Sequence, residues 1–194
     1  LHDALPIYGE DKEKREIGQR YWIGKYPVTN AQYARFIEDD GYHQEAFWSK
    51  EGWAWRIEKE QERPAYWNAA EDNNPIFPVV GVTWYEADAY ARWLNTQVQV
   101  TGSKLHVWQD GEIAEIDVQP KTLKVHLSSE EEWERAARGT DGRVYPWGDE
   151  FEIQWASTSE SGAIGTTAVC TYLQGVSPVG AWDMSGNVWE WTRS

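Results

Sequence analysis

The chain carries a single cysteine, Cys170, among 194 residues. One thiol excludes an internal disulfide framework and a cysteine-rich zinc site. Histidine is nearly as scarce. His2, His43, His106 and His126 are scattered without HxxxH or HExxH spacing, which argues against a self-contained histidine metal site. Long apolar runs are missing. The longest near-apolar stretch, 75–85, is shorter than the roughly 20 residues a bilayer-spanning helix needs. Positive charge is short as well: 18 Lys and Arg face 32 Asp and Glu, a net charge of −14. Such a surface repels phosphate backbones and anionic membranes, so neither nucleic acid nor membrane is an expected partner. Cations, metal ions and basic peptides suit it better. The glycines of GAIGTT (162–167) lack the lysine of a phosphate loop. Ser128, Ser157, Ser159 and Ser161 have no GxSxG context. Cys170, with no histidine near it in sequence, reads as a buried spectator thiol.

What is abundant is tryptophan: 14 of them, beside 10 Tyr and 4 Phe. Large rings suit a fold with little regular structure, because each covers much irregular backbone. Three helices are expected from one device, a Ser or Thr followed three residues on by Gln or Glu. Thr29 and Gln32 open 29–41, Thr83 and Glu86 open 83–95, and Ser128 and Glu131 open 128–139. Apolar faces follow at helical spacing: Tyr33, Phe36 and Ile37; Ala87, Tyr90, Ala91 and Leu94; Trp133, Ala136 and Ala137. Gly41 and Gly139 are expected stops. Glu86, Glu131 and Glu132 read as capping groups rather than catalysts.

Strands are expected to be short, at 21–23 and 79–82. Segment 104–127 alternates apolar and polar residues around Asp110-Gly111 and reads as a β-hairpin. The Gly-, Ser-, Thr- and Pro-rich run 139–180 reads as ordered loop anchored by Trp147, Trp155 and Ile164. No internal repeat is visible. The overall class is α+β with low regular content. The first seven residues, LHDALPI, show no helix or strand logic and read as partly non-native. With Met184 as the only methionine and an end at WEWTRS, the chain is expected to be a fragment of a longer reading frame. No signal-peptide pattern opens it, so the expected location is the cytoplasm.

The densest motif is SPVGAWDMSGNVWEW (177–191). Asp183 and Glu190 flank Asn187, and Gly180 and Gly186 permit tight turns. Hard cations such as calcium take six to eight oxygens, mixing carboxylates with carbonyls of a turning chain. Spacing alone favours a capped, Trp-rich turn over a cation site.

Five collinear segments carry a family resemblance: IGKYPVTNAQYARFI (23–37), PVVGVTWYEADAYARWLN (78–95), LSSEEEWERAARG (127–139), YPWGDEF (145–151) and the 177–191 motif. Over about 20 to 191 the chain resembles the sulfatase-modifying-factor, or formylglycine-generating-enzyme, domain. The resemblance implies a C-type-lectin-like fold occupying 20–194, preceded by an N-terminal segment 1–19. It implies a structural calcium held by the Asp183 side chain, the Gly186 and Val188 carbonyls and the Glu190 side chain. A second calcium site of the family uses an Asn-Thr-like step, which here reads Ser157-Thr158. About 30 residues, including the 104–127 hairpin, intervene where family members pass directly between two helices, so the hairpin reads as an insertion.

Three functions compete. The name-giving members oxidise a cysteine in a CxPxR-type sulfatase peptide to formylglycine, using oxygen and copper(I) held by two cysteines. Those cysteines lie beyond the GNVWEW motif, so no catalytic or cofactor-binding residue is assigned within the chain, and Cys170 matches neither. EAFWSKEGWAWR (45–56) and RPAYW (63–67) are similar to the sulfoxide-synthase branch. That branch acts on small thiols and binds iron through histidines of a preceding helical domain. The third function is a non-catalytic ligand-binding domain. Trp48, Trp53, Trp55 and Trp67 would line a substrate groove or, more simply, pack a core.

Overall fold

Helix starts in this chain are fixed by side chains that accept the first free backbone N–H groups. The computed structural model describes residues 6–8, 14–18, 20–69, 73–98, 104–109, 112–117 and 123–193. Thr29 and Gln32 close a capping box at the start of α1, Asn30–Glu38. α1 ends before Gly41, because Asp40 turns left-handed at φ 60° and a short 3-10 turn follows. α2, Lys50–Lys59, was not expected from the sequence. Ser49 caps it by accepting Gly52 N–H, and Glu60 ends it in the left-handed region. α3 spans Trp84–Val98, and Glu86 Oε2 accepts both Thr83 N–H and the Thr83 hydroxyl at 2.8 Å. α4 spans Glu130–Arg138 and ends at Gly139, φ 73°. Its capping box is Ser129 with Glu132, one residue later than Ser128 with Glu131. The shift puts the buried carboxylate, Glu132, at the reciprocating position, where Ser129 N–H and Arg193 satisfy it.

Strand is sparse among the described residues. β1, Pro6–Tyr8, pairs antiparallel with β2, Lys14–Glu16, so strand structure reaches into the segment read as lacking it. β3, Lys104–Gln109, pairs antiparallel with β4, Glu112–Asp117, over a register from Lys104↔Asp117 to Gln109↔Glu112. The expected Asp110-Gly111 turn lies outside the described residues. The expected strands at 21–23 and 79–82 do not form. Val79 N–H reaches Val28 O at 2.8 Å, but only a single bridge, Thr29↔Pro78, results. A bridge without a neighbouring pair propagates no ladder.

The chain divides into two units, Val28–Leu127 and the pair of segments Leu1–Pro27 with Ser128–Ser194. The first is built on aromatic rings. Phe36, Tyr33, Tyr42, Trp48, Tyr90 and Trp93 form its core, with Trp53, Trp55 and Trp67 packed against it. The four tryptophans considered for a groove therefore serve the core. Phe36 is completely buried and meets Tyr33 and Tyr90 edge-on at 5.5 and 6.0 Å. Asn95 Oδ1 accepts Val125 N–H at 2.9 Å, so the chain leaving α3 toward the hairpin returns to α3. The second unit has a smaller core of Ala136, Ala137, Ala181 and Met184, joined by Ile23, Trp133 and Val179. In its long loop, Trp147 meets Trp155 edge-on at 5.9 Å, but Ile164 is fully exposed and anchors nothing.

Phe36→Ala removes a ring touched on several sides, and the cost is expected to be about 3–5 kcal/mol. A urea unfolding series with unchanged slope checks it.

Candidate functional site

The 177–191 motif folds as a succession of left-handed turns. Gly180, Asp183, Gly186 and Asn187 have φ of 83°, 58°, 89° and 66°. Two of these positions are non-glycine, where such a backbone is uncommon and persists only when surroundings impose it. Asn187 shows how. Its N–H donates to Ser157 O at 2.7 Å, its Oδ1 accepts Thr167 N–H at 2.9 Å, and its Nδ2 donates to Thr167 O at 3.2 Å. Gly186 lies against the same strip of backbone. A Cβ there would stand 2.4 Å from Ser157 O. Val188 N–H then closes a three-residue turn on Gly186 O at 2.9 Å.

The turns carry two carboxylates. Asp183 Oδ2 accepts Cys170 N–H at 3.0 Å. Glu190 Oε2 accepts the Trp133 indole N–H at 2.8 Å, tying the motif to α4. Burial raises the Asp183 pKa, and the Cys170 N–H opposes that rise. Crowding by neighbouring atoms raises Glu190, the Trp133 bond lowers it, and the nearby Asp183 charge raises it again. Glu190 nevertheless remains open to solvent. A carboxylate raised by burial and by the Asp183 charge, as Glu190 is, is one that a nearby cation would help to ionise.

The donor chemistry fits a hard cation. Each carboxylate commits one oxygen to an N–H and has a second, and a carbonyl such as that of Gly186 has two lone pairs. Among the described residues no three His, Cys, Asp or Glu side chains gather at one point. A cation at this place would need backbone carbonyls and water as well as Asp183 and Glu190, a mixture calcium accepts. At the Ser157-Thr158 step, Ser157 is buried and its hydroxyl has no hydrogen-bond partner among the described residues, while its carbonyl is taken by Asn187.

Cys170 is half-buried rather than buried, and sits left-handed at φ 63°. Burial and the Asp183 charge push its thiol pKa up, so it lacks the thiolate character of a reactive cysteine. Sequence reading missed its backbone role as the brace of Asp183 and missed Trp133 as the brace of Glu190. Neither leaves a local signal, because the partners lie 13 and 57 residues apart.

Among the described residues, four capped helices, a few short antiparallel strands and a turn-built acidic motif make an irregular, aromatic-rich mixture of helix and strand. Residues 8–194 match the sulfatase-modifying factor enzyme 1-like domain, and the chain belongs to that family. It is 34% identical over 185 residues to hercynine oxygenase of Mycolicibacterium thermoresistibile, covering 89% of this chain and 35% of that protein. It is 28% identical over 228 residues to formylglycine-generating enzyme of Thermomonospora curvata, covering 97% of this chain and 64% of that enzyme. It is 30% identical over 197 residues to the serine/threonine-protein kinase pkn1 of Chlamydia pneumoniae, covering 98% of this chain and 24% of that protein. The chain spans about a third of the length of the hercynine oxygenases it matches.

Gly186→Ala is expected to destabilise the motif, since the added methyl meets backbone at a left-handed position. Glu190→Gln keeps an acceptor for Trp133 and removes a like charge. In chelator it is expected to raise stability by less than about 1 kcal/mol, given solvent screening. Thermal melts of both variants beside the parent chain check the opposite signs.

Proposed function

We propose that this chain is the sulfatase-modifying-factor domain of an oxygen-dependent oxidoreductase acting on a thiol. The observation that carries this reading is the family match over 8–194, together with similarity to both a formylglycine-generating enzyme and a hercynine oxygenase. The first form of the reading is formylglycine generation, in which a peptidyl cysteine is oxidised. Copper(I), when bound to such an enzyme, supplies oxygen activation at soft thiolates. This chain contributes one thiol, Cys170, braced by its backbone against Asp183. One thiol does not make a two-thiolate centre, so the residues of this chain do not fit that metal by themselves.

The second form is a sulfoxide synthase acting on a small thiol with iron. The 34% identity and the EAFWSKEGWAWR segment favour it. His43 bonds Asp40, and His126 contacts the Leu127 carbonyl, so these histidines are engaged locally. The fold we propose is C-type-lectin-like over 20–194, with 104–127 inserted between α3 and α4. The return of Val125 to Asn95 supports an insertion that loops out and comes back.

We assign structural calcium to Asp183, Glu190 and the Gly186 and Val188 carbonyls. Its role is to hold the left-handed turns and neutralise the two carboxylates. Calcium that binds only the native state raises stability, by about 2.7 kcal/mol at a hundredfold excess over Kd. Melting temperature is expected to rise in calcium relative to chelator, and Asp183→Ala is expected to abolish the rise. Identical melts of the parent chain in both conditions would remove the calcium assignment.

Activity is tested on the intact protein carrying this domain. With copper(I) and a CxPxR peptide, oxygen uptake and a new aldehyde support formylglycine generation. With iron(II), hercynine and a small thiol, a sulfoxide product supports the second form. Absence of oxygen uptake in both leaves the non-catalytic binding domain.

A further inference from the structure

The core of 28–127 holds a buried acid whose hydrogen-bond donors are all uncharged. Glu86 is completely buried. Its Oε2 performs the α3 cap by accepting from Thr83. Its Oε1 accepts the Tyr42 hydroxyl at 2.6 Å and, at 3.4 Å, the Gln61 amide. Tyr42 in turn lies 3.1 Å, hydroxyl to hydroxyl, from Tyr33. Because the Tyr42 proton is directed at Glu86, its oxygen is left to accept from Tyr33. Both tyrosines are 1% exposed, and burial raises both phenols far above their usual range.

Rings connect this pair to the surface on two sides. Trp67, half-buried, lies 6.0 Å from Tyr33. On the other side Trp48 lies 5.6 Å from Tyr42, and half-buried Trp53 lies 6.5 Å from Trp48. Adjacent rings at such spacing pass an electron readily. A phenol loses an electron far more easily when its proton has an acceptor, and for Tyr42 that acceptor is in place.

We propose that Tyr42 and Glu86 form a proton-coupled radical site reached through the surface indoles. A one-electron oxidant takes an electron from Trp67 or Trp53. The indole radical cation is refilled from the buried phenols. As Tyr42 gives up its electron, the O–H bond breaks and the proton joins Glu86 Oε1. The products are the reduced oxidant, a neutral Tyr42 phenoxyl radical and a protonated Glu86. A one-electron donor returns the electron, and Glu86 returns the proton. Tyr33 donates to the phenoxyl oxygen and holds the radical at Tyr42. The two surface indoles are unequal. The Arg56 guanidinium stands 5.5 Å over the Trp53 ring, and its charge disfavours a radical cation there. Trp67 is the favoured side.

The test is flash oxidation of the whole chain by photogenerated ruthenium(III) polypyridyl, read by EPR and transient absorption. It needs no catalytic metal, so its outcome is separate from that of the oxidoreductase reading. The expected result is a neutral tyrosyl radical whose formation slows in D2O. The signal is lost in Tyr42→Phe and kept in Tyr66→Phe, the control for an exposed tyrosine next to Trp67 in sequence. Trp67→Phe loses more of the yield than Trp53→Phe. Glu86→Gln retains a cap for Thr83 but loses the proton acceptor, and the long-lived signal disappears. Should that variant not fold, Tyr42→Phe decides alone. A tyrosyl signal that survives Tyr42→Phe, or tryptophan radicals only in the parent chain, overturns the proposal.

Discussion

A carboxylate cannot be taken out of water without partners for its oxygens, and Glu86 is the place where this chain meets that requirement in full. Thr83 meets it from the start of α3, Tyr42 from the 3-10 turn after α1, and Gln61 from the segment after α2. Three separate stretches of sequence are thereby forced to one point. The aromatic core then has a frame to fill. Tyr33 stacks on Tyr90 at 5.1 Å because α1 and α3 each arrive from an end fixed by a cap. The rings fill that frame, and the acid ties Tyr42, and through it Tyr33, to the start of α3.

Much of this was legible in the sequence because capping is local. Thr29 with Gln32, and Thr83 with Glu86, announce their helices within four residues. The third announcement was ambiguous, since Ser128 and Ser129 precede three consecutive glutamates, and only burial of Glu132 selects the second serine. α2 escaped notice because its tryptophans interrupt any clean apolar stripe and Gly52 weakens it as a helix. Ser49 was the available signal. The family segments located the Asp183–Glu190 motif, but residue spacing carries no trace of what braces it. Ile164 illustrates the converse: apolar character suggested an anchor, and the loop around it leaves it in water.

The motif and the aromatic core use opposite strategies. In the core, shape comes from rings carried by helices α1 and α3 and by the short 3-10 turns between α1 and α2. In 180–187 the shape comes from the backbone, with left-handed residues held by Asn187, Ser157 and Thr167. A backbone arranged in that way presents carbonyls on the inside of its turns. Under the calcium assignment proposed above, Asp183 and Glu190 supply the charge that those carbonyls lack.

The division of the chain has a kinetic consequence. The unit Val28–Leu127 is continuous, whereas the other is assembled from segments on either side of it. Its ties span long loops: Tyr21 bonds the Glu132 carbonyl across 111 residues, and Lys25 O accepts Trp182 N–H at 2.8 Å. Closing such loops in an open chain costs entropy that grows with their length. Folding the intervening unit first shortens the gap that the flanking segments must bridge. On a ribosome the last residue of the aromatic unit is added before α4 begins, and the partners of the acidic turns, Trp133 and Cys170, are added after it.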